Sequence, residues 1–139
     1  SEGNPHVKGE MRKRQMRRKS LKAQLDDLPN ADVVIANPTH IAVALRYDRD
    51  TMAAPRIIAM AKDYNALRIR ELAEKLQIPV LENKPLARML LKYGKVDADI
   101  PIQLYTSVAE ILAYVYRVNR FRYYARSHAA SAKPATSSN

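Results

Sequence analysis

The chain has 139 residues, 47% of them hydrophobic, enough for one folded domain and too few for two comfortable ones. It has no cysteine, which excludes disulfides, thiolate zinc sites and thiol nucleophiles and fits a cytosolic setting. Its net charge of +10 sits at the ends: residues 1–22 carry eight Lys/Arg against two Glu, residues 117–139 five Lys/Arg and no acid, and the stretch between eleven bases against twelve acids. A neutral body with few aromatics among its basic residues argues against a nucleic-acid binder, whose charge belongs on the folded surface.

No apolar run reaches the roughly 20 residues that span a bilayer. Ser1-Glu2-Gly3-Asn4 has neither an initiator Met nor a signal-peptide pattern, so the chain is expected to be a piece of something longer. Residues 6–28 are rich in helix formers and stop at Pro29, with only Val7, Met11, Met16, Leu21 and Leu25 to bury. They read as a solvent-exposed basic helical linker suited to an acidic membrane surface.

Val33–Ala36 and Ile41–Leu45 are short runs rich in β-branched residues and read as buried strands. Arg56–Ala61 is a weaker third strand, and Ile78–Leu81 a fourth that starts at Pro79. Between these last two, Ile69, Leu72, Ala73 and Leu76 give a helix over about 64–76, so the stretch reads as a parallel βαβ unit. Pro85 opens a helix with Leu86, Met89, Leu90 and Tyr93 on one face, closed by Gly94. After Pro101, Tyr105, Val108, Ala109, Leu112, Val115 and Tyr116 share a helix face that Ile111 and Ala113 thicken, so this helix is expected at the centre of the core. From Ser127 the composition is of low complexity and reads as disordered. The expected architecture is α/β, a small mostly parallel sheet flanked by helices. The linker takes residues 1–29, the domain 30–120 and the tail 121–139.

The chemistry lies between the first two strands, in Asn37-Pro38-Thr39-His40. Asn and Pro are turn residues, and a plain turn is one reading. The other is cleavage. Proline's nitrogen carries no hydrogen, so it cannot attack the Asn37 side chain. The Asn37 amide nitrogen can instead attack its own main-chain carbonyl, close a succinimide and expel Pro38. His40 can polarise a group or shuttle a proton, strain from the strands can weaken the amide, and the strands orient Asn37 for an intramolecular reaction. Thr39 can hydrogen-bond within the turn. No metal or cofactor is needed. Pro38 rules out glycosylation at Asn37-Pro38-Thr39. Asn4-Pro5-His6 lacks flanking strands and is expected to stay intact, with His6 and His128 inert. Three scattered His and no Cys make a metal site improbable. Arg68, Arg70 and Glu71 read as a solvated helix face.

"NPTH" after "VVIA" and before "IAVALRYD", with "ENKPLARMLLKYGKVDADIP" and "QLYTSVAEILAYVYRVNR", resembles the cytoplasmic domain of the flagellar export-switch family, FlhB. Relatives in virulence type III secretion share the tetrapeptide; "ALRIRE" and "AEILAYV" look more flagellar. The resemblance implies a membrane-embedded half ahead of the linker, placing this domain on the cytoplasmic face of the bacterial inner membrane. It implies autocleavage at Asn37-Pro38, with the two pieces held in one sheet. It also implies a switch from export of rod and hook subunits to filament-type subunits when a hook-length-control protein engages the domain beside other export-gate components. Early substrates would dock on an apolar patch matching Ala54, Pro55, Ala109 and Leu112; by periodicity alone, Ala109 and Leu112 are ordinary core positions, and Ala54-Pro55 is a loop. The alternatives are the switch domain of a virulence (injectisome) type III secretion system and a non-cleaving docking module.

Overall fold

The computed structural model describes residues 18–119. Residues 6–17 of the helix expected over 6–28, Asn4-Pro5-His6 and the tail from 121 lie outside them. In chain order the elements are α1 (Leu21–Asp27), β1 (Val33–Asn37), β2 (Ile41–Arg46), β3 (Arg56–Lys62), α2 (Asp63–Lys75), β4 (Val80–Glu82), α3 (Lys84–Tyr93) and α4 (Tyr105–Val118). Short 3₁₀ turns at Leu28–Asn30 and Ile102–Leu104 join α1 to β1 and lead into α4.

The class is α/β, as expected, but the sheet is mixed rather than mostly parallel. Its order is β3-β2-β1-β4. β1 pairs with β2 and β2 with β3 antiparallel, and only β1 with β4 parallel. The tight turn at residues 38–40 forces β2 back along β1. β3 and β4 do run the same way, but α2 carries the chain past β2 and β1 to the far edge, so the two strands never touch.

Both faces of β1 and β2 are covered, which is why they read as unbroken apolar runs. Val33, Ile35, Val43, Leu45 and Ile57 pack with Leu86, Leu90, Val108, Leu112 and Val115 of α3 and α4. Val34, Ala42, Ala44, Ile58 and Ala59 pack with Leu28 and with Ile69 and Ala73 of α2 on the other side. Ala44 pairs with Ala59 and Leu45 with Ile57, so Ile58 is the extra residue of a bulge and turns to the same face as Ala59.

Two helices depart from expectation. α4 is not central: it buries Val108, Leu112 and Val115, while Tyr114 and Val118 are exposed. A helix in an outer layer over a four-stranded sheet meets the core along one face only, and a domain this small has no further layer to cover it. α3 keeps Leu86, Ala87 and Leu90 inside, whereas Met89 and Tyr93 lie on its exposed side. Its start is set by Asn83, whose side-chain Oδ1 accepts the Leu86 N–H at 3.1 Å.

The described end of the basic linker is not solvated. Ser20 caps a new helix at Leu21, accepting the Ala23 N–H. Gln24 is buried; its Oε1 accepts the Met60 N–H at 2.9 Å and its Nε2 donates to the Lys19 carbonyl. Lys19 Nζ donates to the Ile58 carbonyl at 3.0 Å, to Asp27 at 2.6 Å and to Asp97 at 3.2 Å. β3 is an edge strand, so these side chains occupy backbone groups that would otherwise be open to another chain.

Burial alone would push the Asp27 carboxyl up, but hydrogen bonds from Lys19 and Asn30 and the charges of Lys19 and Arg46 outweigh it and hold it below its ordinary 3.8. A carboxylate with a depressed folded pKa stabilises the native state above its unfolded pKa. This contribution is therefore complete well above pH 3.8 and lost as pH falls through the lower folded value. Melting curves of the wild type and Asp27→Asn should differ at neutral pH and converge in acid; a constant gap would show that the charge is not involved.

Candidate active site in the turn between β1 and β2

Pairing of β1 with β2 ends at Asn37↔Ile41, and residues 38–40 form the turn. The His40 N–H donates to the Asn37 carbonyl at 3.0 Å, closing a four-residue β-turn. Pro38 stands second and Thr39 third, with Thr39 at φ 68°. This is the pattern of a type II turn, whose third position favours Gly. A β-branched residue at positive φ is strained, by an amount of order 1–3 kcal/mol. The strain thus lies one residue beyond the Asn37-Pro38 bond, inside the expected tetrapeptide.

The surroundings pin the turn on both sides. The Asn83 N–H donates to the Ala36 carbonyl at 3.0 Å, fixing the end of β1 from the β4 side. The Asp63 N–H donates to the His40 carbonyl at 2.9 Å, fixing the turn from the β3–α2 corner. Asn37 is 9% exposed, and strand alternation puts it on the same face as Val33 and Ile35. Among the described residues no hydrogen bond engages its carboxamide. Pro38 is half-buried; Thr39 and His40 are exposed. His40 Nδ1 lies 3.8 Å from Asp63 Oδ1, with both side chains mostly in solvent.

The carbonyl that would be attacked therefore already accepts a backbone N–H. Negative charge on Asn37 O would meet a donor held in place by the turn, the requirement for stabilising a tetrahedral intermediate. Sequence reasoning assigned His40 only a side-chain role; its backbone amide follows from the turn type. Asp63 was missed. An Asp at the start of a helix is an ordinary first-turn signal, and only the β2–β3 register brings it opposite His40.

The four patch residues are divided. Ala54 and Leu112 are each 3% exposed and belong to the interior, whereas Ala109 is exposed and Pro55 half-buried. The Pro55 carbonyl accepts the Ile100 N–H at 2.9 Å, tying the β3 entrance to the segment that leads into α4. Arg68 and Glu71 are exposed as expected, while Arg70 is half-buried.

The helix-flanked mixed sheet matches solved domains of type III export-apparatus components. The cytoplasmic domain of FlhB from Shewanella putrefaciens superposes with a TM-score of 0.69 at 39% identity, over 74% of this chain and 79% of that one. The C-terminal domain of EscU carrying an asparagine-to-aspartate mutation superposes at 0.64 with 34% identity, over 66% of this chain and 98% of that one. The chain belongs to the FlhB HrpN YscU SpaS family, whose model matches residues 1–115. The flagellar biosynthetic protein FlhB of Salmonella typhimurium is 46% identical over 122 residues, 88% of this chain and 32% of that protein. FlhB of Bacillus subtilis is 42% identical over 120 residues, 86% of this chain and 33% of that protein. The chain thus spans about a third of the length of these relatives. Among the described residues no helix is long and apolar enough to cross a membrane.

Proposed function

We propose that this chain is the cytoplasmic switch domain of a flagellar type III export component, and that it cuts itself once between Asn37 and Pro38. The observation that carries this reading is the turn: a buried Asn37, its carbonyl held by the His40 N–H, followed by a Thr39 in left-handed backbone. Asn37 Nδ2 attacks the Asn37 carbonyl carbon, a five-membered ring forms, and the bond to the Pro38 nitrogen breaks. Nδ2 loses one proton and the proline nitrogen gains one, with the His40 imidazole as relay. Water then opens the succinimide. The cut itself needs no metal, cofactor or external nucleophile, and there is no turnover.

The pieces stay together because β1 remains paired with both β2 and β4 after the cut. Pro38-Thr39-His40 is released at one end, and the strain at Thr39 is relieved as the loop rearranges. The new surface is what a hook-length-control protein would meet when export changes from rod and hook subunits to filament-type subunits. Early subunits would dock where Pro55 and Ala109 reach the surface, Ala54 and Leu112 of the expected patch being buried. The basic residues ahead of Lys19 would face an acidic membrane beside the other export-gate components. The flagellar assignment, rather than a virulence one, is supported by flagellar relatives at 42–46% identity across most of the chain.

The test is in cells whose full-length protein carries Asn37→Ala. Export of rod and hook subunits should continue while filament-type export is lost. Normal filament export from that strain would overturn the switching role.

A further inference from the structure

We propose that Asp63 is a positioning residue for the cut, a role that rests on the reading of Asn37-Pro38 as a cleavage site. The last pair of the β2–β3 ladder is Ile41↔Lys62, so the next residues outward, His40 and Asp63, face each other at its open end. The Asp63 N–H holds the His40 carbonyl at 2.9 Å, while the His40 N–H is directed at the Asn37 carbonyl at 3.0 Å. His40 is thus anchored at both of its backbone groups, and one anchor fixes the direction of the other. Its amide is kept on the oxygen that takes up charge.

Asp63 adopts φ 54° to make this contact. Left-handed backbone is disfavoured for residues with a Cβ, and Asp and Asn tolerate it best after Gly. The bend at the β3–α2 corner delivers the Asp63 amide to the turn, so the side chain at this position is chosen for backbone shape as well as charge. The carboxylate has a second effect. Its Oδ1 lies 3.8 Å from His40 Nδ1, an electrostatic contact rather than a hydrogen bond. That contact favours the ring proton on Nδ1, leaving Nε2 to take the proton from Asn37 Nδ2 and pass it to the Pro38 nitrogen.

The two effects separate by substitution. Asp63→Asn keeps the backbone tolerance and removes the charge, so it tests the imidazole contact alone. Cleavage by Asp63→Asn should slow about two- to fivefold, the size of an exposed charge contact, with far-UV circular dichroism unchanged. In a His40→Ala background the same change should have no further effect, because no ring remains to position. Equal rates for wild type and Asp63→Asn would overturn the assignment of the carboxylate, as would an equal slowing with and without His40. A wild-type chain that never cleaves would instead remove the underlying reading, and the role of Asp63 with it.

Discussion

Asn37→Ala is expected to remain a single uncut chain under conditions in which the wild type divides completely. The substitution removes the only nitrogen placed to close a five-membered ring on the Asn37 carbonyl. Orientation of such a group can be worth an effective concentration of about 10⁵–10⁸ M, and no water or neighbouring side chain replaces it. The loss should therefore be complete on the timescale of the wild-type reaction. The fold should survive, because the strand pairing at Asn37↔Ile41 is made by backbone and Ala fits a strand end. Far-UV circular dichroism of the variant should match that of the wild type, cut or uncut. Comparable cutting by the Ala variant would show that some other nucleophile attacks this bond.

Leu28→Ala has the second large expected effect, on stability rather than chemistry. Leu28 is fully buried against Ala31, Val34 and the α2 residues Ile69 and Ala73, although it precedes the expected domain start at residue 30. Truncating a buried leucine costs about 2–5 kcal/mol through lost transfer energy and the cavity left behind. Against the marginal stability of a small domain that is a large share. Denaturant titration should show the loss as a shifted midpoint with little change of slope. A shift worth less than about 0.5 kcal/mol, the range of surface substitutions, would mean that the α1 segment is only appended to the body.

The strands and the turn were legible because their signals are local. Val33–Ala36 and Ile41–Leu45 are apolar enough to declare two covered faces, and Pro38 between them can only punctuate. The helix opened at Pro85 was legible as well, since proline in the first turn acts within that turn. The direction of β4 relative to β3 was legible too, since a helix joins them. Which strands become neighbours was not, because β1 and β2 already form a hairpin and occupy the middle of the sheet.

Other features depend on contacts between distant residues. Lys19 reads as one more charge in a basic run until β3 supplies the Ile58 carbonyl, and Asp97 a second carboxylate. The apolar face named for α4 is the one buried at Val108, Leu112 and Val115, but a helix apolar on nearly every side does not say how wide the covered stripe is; exposure of Ala109 beside buried Leu112 follows from the layer it occupies. At the candidate site Asn37, Pro38, Thr39 and His40 could be named in advance from peptide chemistry. The strain at Thr39 and the anchoring of His40 by Asp63 could not, since both arise from backbone geometry fixed by the hairpin and the β3–α2 corner.

The most direct measurement is the intact mass of the purified wild-type chain after denaturation. Two species are predicted, one ending at Asn37 and one beginning at Pro38, with part of the first a single water lighter while its succinimide persists. A lone 15.8 kDa species after prolonged incubation would contradict self-cleavage at this turn.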